Sequence, residues 1–232
     1  MLHFCHPIVA GKPVHEKSIM KDKASLAQHQ LLGLYDSPFV RRVAVTLTHY
    51  GIPFEHLSLS VFRHMDAMQP LNPLFKVPMV TLPDGEILYA SAYLLDYLDE
   101  LAAARGITPL TPRTGRERRR IQQLMALAMI ATEKAVAIAY EARRPPELAW
   151  PEWAERVRGQ MRAAWGLLEA ELAGDYLVGN RLTQADISAV AGIGFIRFTL
   201  PDEWPAGLWP RLEGLAARLE ASPAFMAVPI DE

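Results

Sequence analysis

A single cysteine, Cys5, rules out an internal disulfide and fits a reducing compartment. Acidic and basic residues nearly cancel, leaving a formal net charge of −2, so no field favours nucleic acid or an anionic membrane surface. No apolar run reaches the ~18 residues of a membrane-spanning helix. The N-terminus also lacks the basic and apolar regions of a secretory signal. A cytoplasmic protein is therefore expected. His3, His6 and His15 do not compose a metal-ligand pattern, and no metal is expected. What is present is ordinary for a globular chain. Half of the 232 residues are hydrophobic and 22% are charged, enough for one large domain or two small ones.

Residues 1–30 mix histidines, prolines and charges without a sustained period, and read as an N-terminal extension with a short helix near residues 25–30. From Leu31 the pattern sharpens. The apolar run 31–35 suits a buried strand, and Ser37-Pro38 opens a helix, with Ser37 as N-cap and Pro38 at the first helical position. Val40, Val43, Ala44 and Leu47 follow at helical spacing until Gly51 and Pro53 stop the helix. Residues 54–59 alternate as a second strand, so a parallel strand–helix–strand unit is expected.

The next segment is Asn72-Pro73-Leu74-Phe75-Lys76-Val77-Pro78-Met79-Val80, reached through a loop over residues 62–73. Pro78 stands directly before an apolar run, where a proline inside a strand would cost a ladder hydrogen bond. Two readings follow: an edge-strand proline in a loop, or a fixed bend with a cis bond. A bend would turn the N–H and C=O of Val77 outward, where an extended peptide can pair as an added strand. Strands at 79–82 and 87–89 flank the Pro83-Asp84-Gly85-Glu86 turn, and Ser91 reads as the cap of a helix over 92–103. The first half is thus βαβ followed by ββα. Residues 107–115 read as a linker between a domain at 31–106 and a second at 116–232. Beyond the linker only helical patterns occur, at 116–143, 153–173, 183–198 and 208–219.

Four motifs in this order resemble the glutathione S-transferase family, over about residues 31–225. They are Tyr35-Asp36-Ser37-Pro38-Phe39-Val40-Arg41-Arg42-Val43, the Asn72–Pro78 segment, Ala90-Ser91, and Gly179-Asn180-Arg181-Leu182-Thr183-Gln184-Ala185-Asp186-Ile187-Ser188. The closest likeness is to bacterial serine-type members. The resemblance implies an α/β plus all-α architecture: a thioredoxin-like N-terminal domain followed by a C-terminal helical bundle. It also implies glutathione as co-substrate, a hydrophobic electrophilic small molecule as acceptor, and a homodimer in which the third helix meets the partner's helical domain.

Carried over residue by residue, the resemblance makes Ser37 the catalytic hydroxyl and Ser37, Lys76, Val77, Pro78 and Ser91 the glutathione contacts. A thiol of pKa ~8.5 needs roughly 2.7 kcal/mol of preferential thiolate stabilisation to fall by about two units. A hydroxyl donor and the positive end of the helix at Pro38 are suited to supply it. Ser37 is equally an N-cap, and Asp36 beside it is expected to face solvent. Lys76 is either a partner for the glycine carboxylate or a solvated loop lysine. Ser91 would take the γ-glutamyl carboxylate at its helix start, a role compatible with capping. The family usually carries Glu, Gln or Asp before this serine, whereas this chain has Ala90, which implies weaker glutathione binding or another ligand.

Thr183 and Asp186 form a capping box with Leu182 and Ile187 as its staple, a folding element. Tyr140, Arg143 and Arg144 are candidates for the acceptor side or for surface packing. The 116–120 charge run reads as a solvated helix face, and the five tryptophans as core or interface anchors. Two functions are open: a glutathione transferase, reductase or isomerase, or a non-catalytic adaptor that kept the fold.

Overall fold

The computed structural model describes residues 28–230. The expected N-terminal extension thus lies almost wholly outside the described residues. So does most of the short helix at 25–30, whose last two residues instead open a strand. The chain runs β1 (His29–Leu32), α1 (Pro38–His49), β2 (Phe54–Leu57), α2 (Met65–Met68), β3 (Met79–Thr81), β4 (Ile87–Tyr89) and α3 (Ser91–Ala104). Helices α4 (Gly115–Glu141), α5 (Pro151–Glu171), α6 (Gln184–Thr199), α7 (Pro210–Glu220) and α8 (Pro223–Met226) complete it. The expected division into a mixed sheet domain and an all-helical domain is what forms.

The sheet has the order β2-β1-β3-β4, with β1 parallel to β2 and antiparallel to β3. Strand β1 begins at His29 and stops at Leu32, earlier at both ends than the apolar run 31–35 suggests. Gly33 is the reason for the stop. Its φ of +128° lies where only glycine is at ease, and a Cβ there would sit 2.6 Å from Val40 Cγ2 and 2.9 Å from Val77 Cβ. The chain leaves the sheet by passing hard against Val77.

Helix α1 is buried on nearly every side, between the sheet and helices α3 and α6. Its apolar residues join those of α3, α4, α5, α6 and α7 in one continuous core. The other face of the sheet carries a smaller cluster, Leu32, Met68 and Met79, covered by Leu57, Leu59, Val61, Leu71, Phe75 and Val77. This cluster explains α2, which the loop reading of 62–73 missed: Met68, fully buried, pins an otherwise unburied turn onto the sheet.

Helix α4 has the length and hydropathy of a membrane span. It packs along α5 and α6 through Ile121, Leu124, Ala128, Ala131, Ala135 and Ile138, as the central helix of a bundle does. The capping box at the head of α6 is formed as its spacing requires, with the Thr183 N–H donating to Asp186 Oδ2 at 2.8 Å. Asp186 also accepts from the Leu177 N–H at 2.7 Å, and burial pushes its carboxyl above the usual range.

One polar bridge joins the halves, and another ties the linker to the sheet domain. Arg41, on α1, donates from both terminal nitrogens to Glu220 of α7, each at 2.6 Å, and from Nε to the Val228 carbonyl at 3.1 Å. Tyr50, at the end of α1, donates to buried Asp99 of α3 and accepts from the Leu110 N–H at 2.6 Å in the linker. Burial raises both the phenol and the Asp99 carboxyl, so each is held where the other keeps it satisfied.

Candidate functional site

A cleft of about 620 Å³ opens between the sheet domain and the end of α4. Ser37, Lys76, Val77, Pro78 and Ser91, separated by up to 54 residues in the chain, all line it.

Ser37 precedes α1 in an extended conformation with Pro38 at the first helical position, as read from the sequence. Its hydroxyl accepts from the Val40 N–H at 3.4 Å, near the limit of a useful hydrogen bond. The cap is therefore weak, and the hydroxyl proton is uncommitted to it. Asp36, expected to face solvent, is instead half-buried and lines the cleft.

The Val77–Pro78 peptide is cis. Among the described residues neither the N–H nor the C=O of Val77 has a hydrogen-bonding partner. The segment before it is staked by Asn72, which is fully buried. Its Nδ2 donates to the Lys76 carbonyl at 2.6 Å, and its Oδ1 accepts from the Leu74 N–H at 3.2 Å. Lys76 itself is exposed at the rim.

The head of α3 departs from the expected cap. Ala90, not Ser91, occupies the N-cap position, at φ 61° and ψ 119°, a conformation costly for any residue with a Cβ. Ser91 is the first helical residue and is buried. The N–H groups of Ser91 and Ala92 donate to nothing among the described residues, leaving an anion-receptive helix start.

Ser91 Oγ accepts from Arg42 Nη2 at 2.6 Å, and Arg42 Nη1 reaches Ser188 Oγ at 3.3 Å. Arg42 is 2% exposed, its Nε has no partner, and burial lowers its guanidinium to about 10, still charged at neutral pH. A hydroxyl that accepts from a cation keeps its own proton free to donate. The site therefore pairs two free N–H groups with a hydroxyl donor backed by a buried positive charge. It is built to receive a carboxylate.

Sequence reasoning missed Arg42 and Asn72 as site-builders. Arg42 sits in an apolar helical pattern next to a second arginine, and only the packing of α1 reveals that both are inside. Asn72 falls in the loop read at 62–73, where nothing local marks it as fully buried.

The far side of the cleft is apolar and aromatic, with Met129, Val136, Ala139, Tyr140 and Phe195 from the helical domain and Phe62 from the loop after β2. Of the three candidates near the end of α4, Tyr140 and Arg143 line the cleft. Arg144 does not, because its Nε donates to Glu141 at 2.8 Å.

Comparison with known proteins places this architecture. Residues 31–106 match the description "Glutathione S-transferase, N-terminal domain" and residues 151–218 "Glutathione S-transferase, C-terminal domain". The first span coincides with the sheet domain as read from the sequence. A probable maleylacetoacetate isomerase from Vibrio cholerae is 31% identical over 210 residues, covering 84% of this chain and 92% of that protein. Glutathione S-transferase U6 from Arabidopsis thaliana is 30% identical over 176 residues, covering 75% of this chain and 73% of that protein. A solved glutathione transferase family member from Pseudomonas fluorescens, with bound glutathione, superposes with a TM-score of 0.75 at 32% identity. That match covers 88% of this chain and all (100%) of the other. The chain belongs to the glutathione S-transferase family.

Proposed function

We propose that the protein is a glutathione transferase that lays the tripeptide along the sheet-domain wall of the cleft. The observation that carries this reading is the convergence on one wall of a helix-start hydroxyl, an unpaired strand-like backbone and a carboxylate-receptive helix start. Glutathione presents a thiol, a backbone-like centre and a γ-glutamyl carboxylate, one group for each. Its cysteinyl N–H and C=O pair with Val77 beside Pro78. Its γ-glutamyl carboxylate accepts from Ser91 and the N–H groups of Ser91 and Ala92, with Arg42 behind them. Lys76 meets the glycine carboxylate at the rim.

Ser37 then donates to the sulfur. With the positive end of α1 beside it, the thiolate is favoured over the thiol, and the proton leaves to solvent. The sulfur lone pair attacks the electrophilic carbon of a hydrophobic acceptor and forms the C–S bond. In a displacement the leaving group departs with its bonding pair.

Ala90 removes the acid that family members usually present to the γ-glutamyl ammonium. Glu133 of α4 lines the cleft, and its field acts on Arg42, so it is the carboxylate available in that role. The same alanine supports a second reading, a non-catalytic adaptor that kept the fold and lost glutathione. Calorimetric titration with glutathione separates the two. Binding in the millimolar range or tighter is expected, and its absence would overturn the transferase reading.

A homodimer is part of the proposal. Tyr93 on α3 is 76% exposed and Leu74 is 60% exposed, an apolar surface suited to a second copy meeting the third helix. Sedimentation at micromolar concentration is expected to give twice the chain mass.

A further inference from the structure

The mouth of the cleft carries three side chains that this placement of glutathione leaves unused. Phe62 meets Tyr140 edge-on, with ring centres 5.7 Å apart and planes at 82°. The Arg143 guanidinium lies over the face of Phe62, 5.0 Å from its centre. Phe62 is 54% exposed and Tyr140 49%, so neither ring belongs to the core. Together they bridge the sheet domain's loop to the end of α4, over the acceptor side of the cleft.

Arg143 is the cation at this mouth. Among the described residues its side chain has no ion pair and no hydrogen bond beyond the stacking on Phe62. Stacking uses the face of the guanidinium and leaves its in-plane N–H donors for a ligand. The acids around the cleft do not pair with this guanidinium. Glu141 accepts from Arg144 Nε and from the Trp150 N–H. Glu133 and Asp36 share the lining of the cleft, and neither forms an ion pair with Arg143. Apart from Thr199, the rest of the helical-domain lining is apolar, with Met129, Val136, Ala139 and Phe195. A neutral, shapeless hydrophobe would need the apolar lining alone. A guanidinium without an ion pair, set over one ring whose neighbour is a second, is a receptor for a carboxylate attached to a planar π-system.

We infer that the acceptor is a planar aromatic or conjugated electrophile bearing a carboxylate, its ring against Phe62 and Tyr140 and its carboxylate on Arg143. The inference rests on the glutathione reading above for the position of the thiol. Its test uses binding rather than turnover. The full chain is titrated by calorimetry with S-(4-carboxybenzyl)glutathione, S-(4-methylbenzyl)glutathione and glutathione itself. The carboxylate conjugate is expected to bind about tenfold tighter than its methyl counterpart, and Arg143→Gln to bring that ratio close to one. A wild-type ratio at or below one overturns the inference, as does a preference that survives in Arg143→Gln. Should glutathione and the methyl conjugate bind without that preference, only the inference falls. Should none of the three bind, the transferase reading falls with it.

Discussion

The two walls of the cleft are built in opposite ways. On the sheet-domain wall the groups offered to a ligand are mostly main-chain N–H and C=O, fixed from behind by the close approach of Gly33 to Val77 and by two buried side chains, Asn72 under Lys76 and Arg42 behind Ser91. On the opposite wall they are exposed side chains in contact with one another, Tyr140 and Arg143 of the helical domain with Phe62 of the loop after β2. The first wall is rigid and indifferent to its own surface residues, as recognition of an invariant peptide backbone requires. The second is open to substitution without cost to the fold, as a variable acceptor requires. In the proposed function, one architecture thus separates what binds the common ligand from what chooses its partner.

The largest effect should come from unfastening the walls from each other. Arg41→Ala removes the paired contacts to Glu220 and the bond to the Val228 carbonyl. Arg41 is buried, but the Glu220 side chain is 35% exposed, so the cost falls below that of a fully buried pair, at about 2–3 kcal/mol. Thermal unfolding measures it, and loss of both glutathione and acceptor affinity should accompany it.

Gly33→Ala tests the rigid wall alone. The new methyl group meets Val40 and Val77 at contacts real Cβ atoms do not tolerate, in a backbone region hostile to alanine. A cost of about 2 kcal/mol is expected, with Val77 displaced and glutathione affinity lowered more than tenfold. Asn72→Ala comes next, at about 1–2 kcal/mol, because it leaves the Lys76 carbonyl without its donor. Its signature is weaker glutathione binding with the acceptor-side preference intact.

At the other extreme, Phe62→Leu should change stability by less than about 0.5 kcal/mol, since the ring is more than half exposed. It should nonetheless alter which acceptors bind. A large stability loss there would break the comparison between the walls.

Much of the rigid wall was legible in the sequence, for a physical reason. Proline and helix-cap rules act within a few residues, so Ser37-Pro38 and Val77-Pro78 announce themselves, as does the Thr183–Asp186 box. The supports behind them were not legible. Arg42 and Asn72 act on Ser91 and Lys76 through packing between elements, and nothing in their neighbourhood marks a charge or an amide as buried. Ser91 was read as a cap because caps favour serine, yet the strained Ala90 holds that position. The pairing of Phe62 with Tyr140 and Arg143 joins residues about eighty apart, beyond any local pattern.

The central claim is that Ser37 holds a thiolate rather than merely starting a helix. Ser37→Ala should cost only about 0.5 kcal/mol of stability, because the cap it removes is a long 3.4 Å contact. The direct measurement is the ultraviolet absorbance of thiolate against pH for glutathione bound to the wild type and to Ser37→Ala. The account predicts a bound thiol pKa well below that of free glutathione in the wild type, returning most of the way in the mutant while binding persists. Equal values in the two proteins would contradict it.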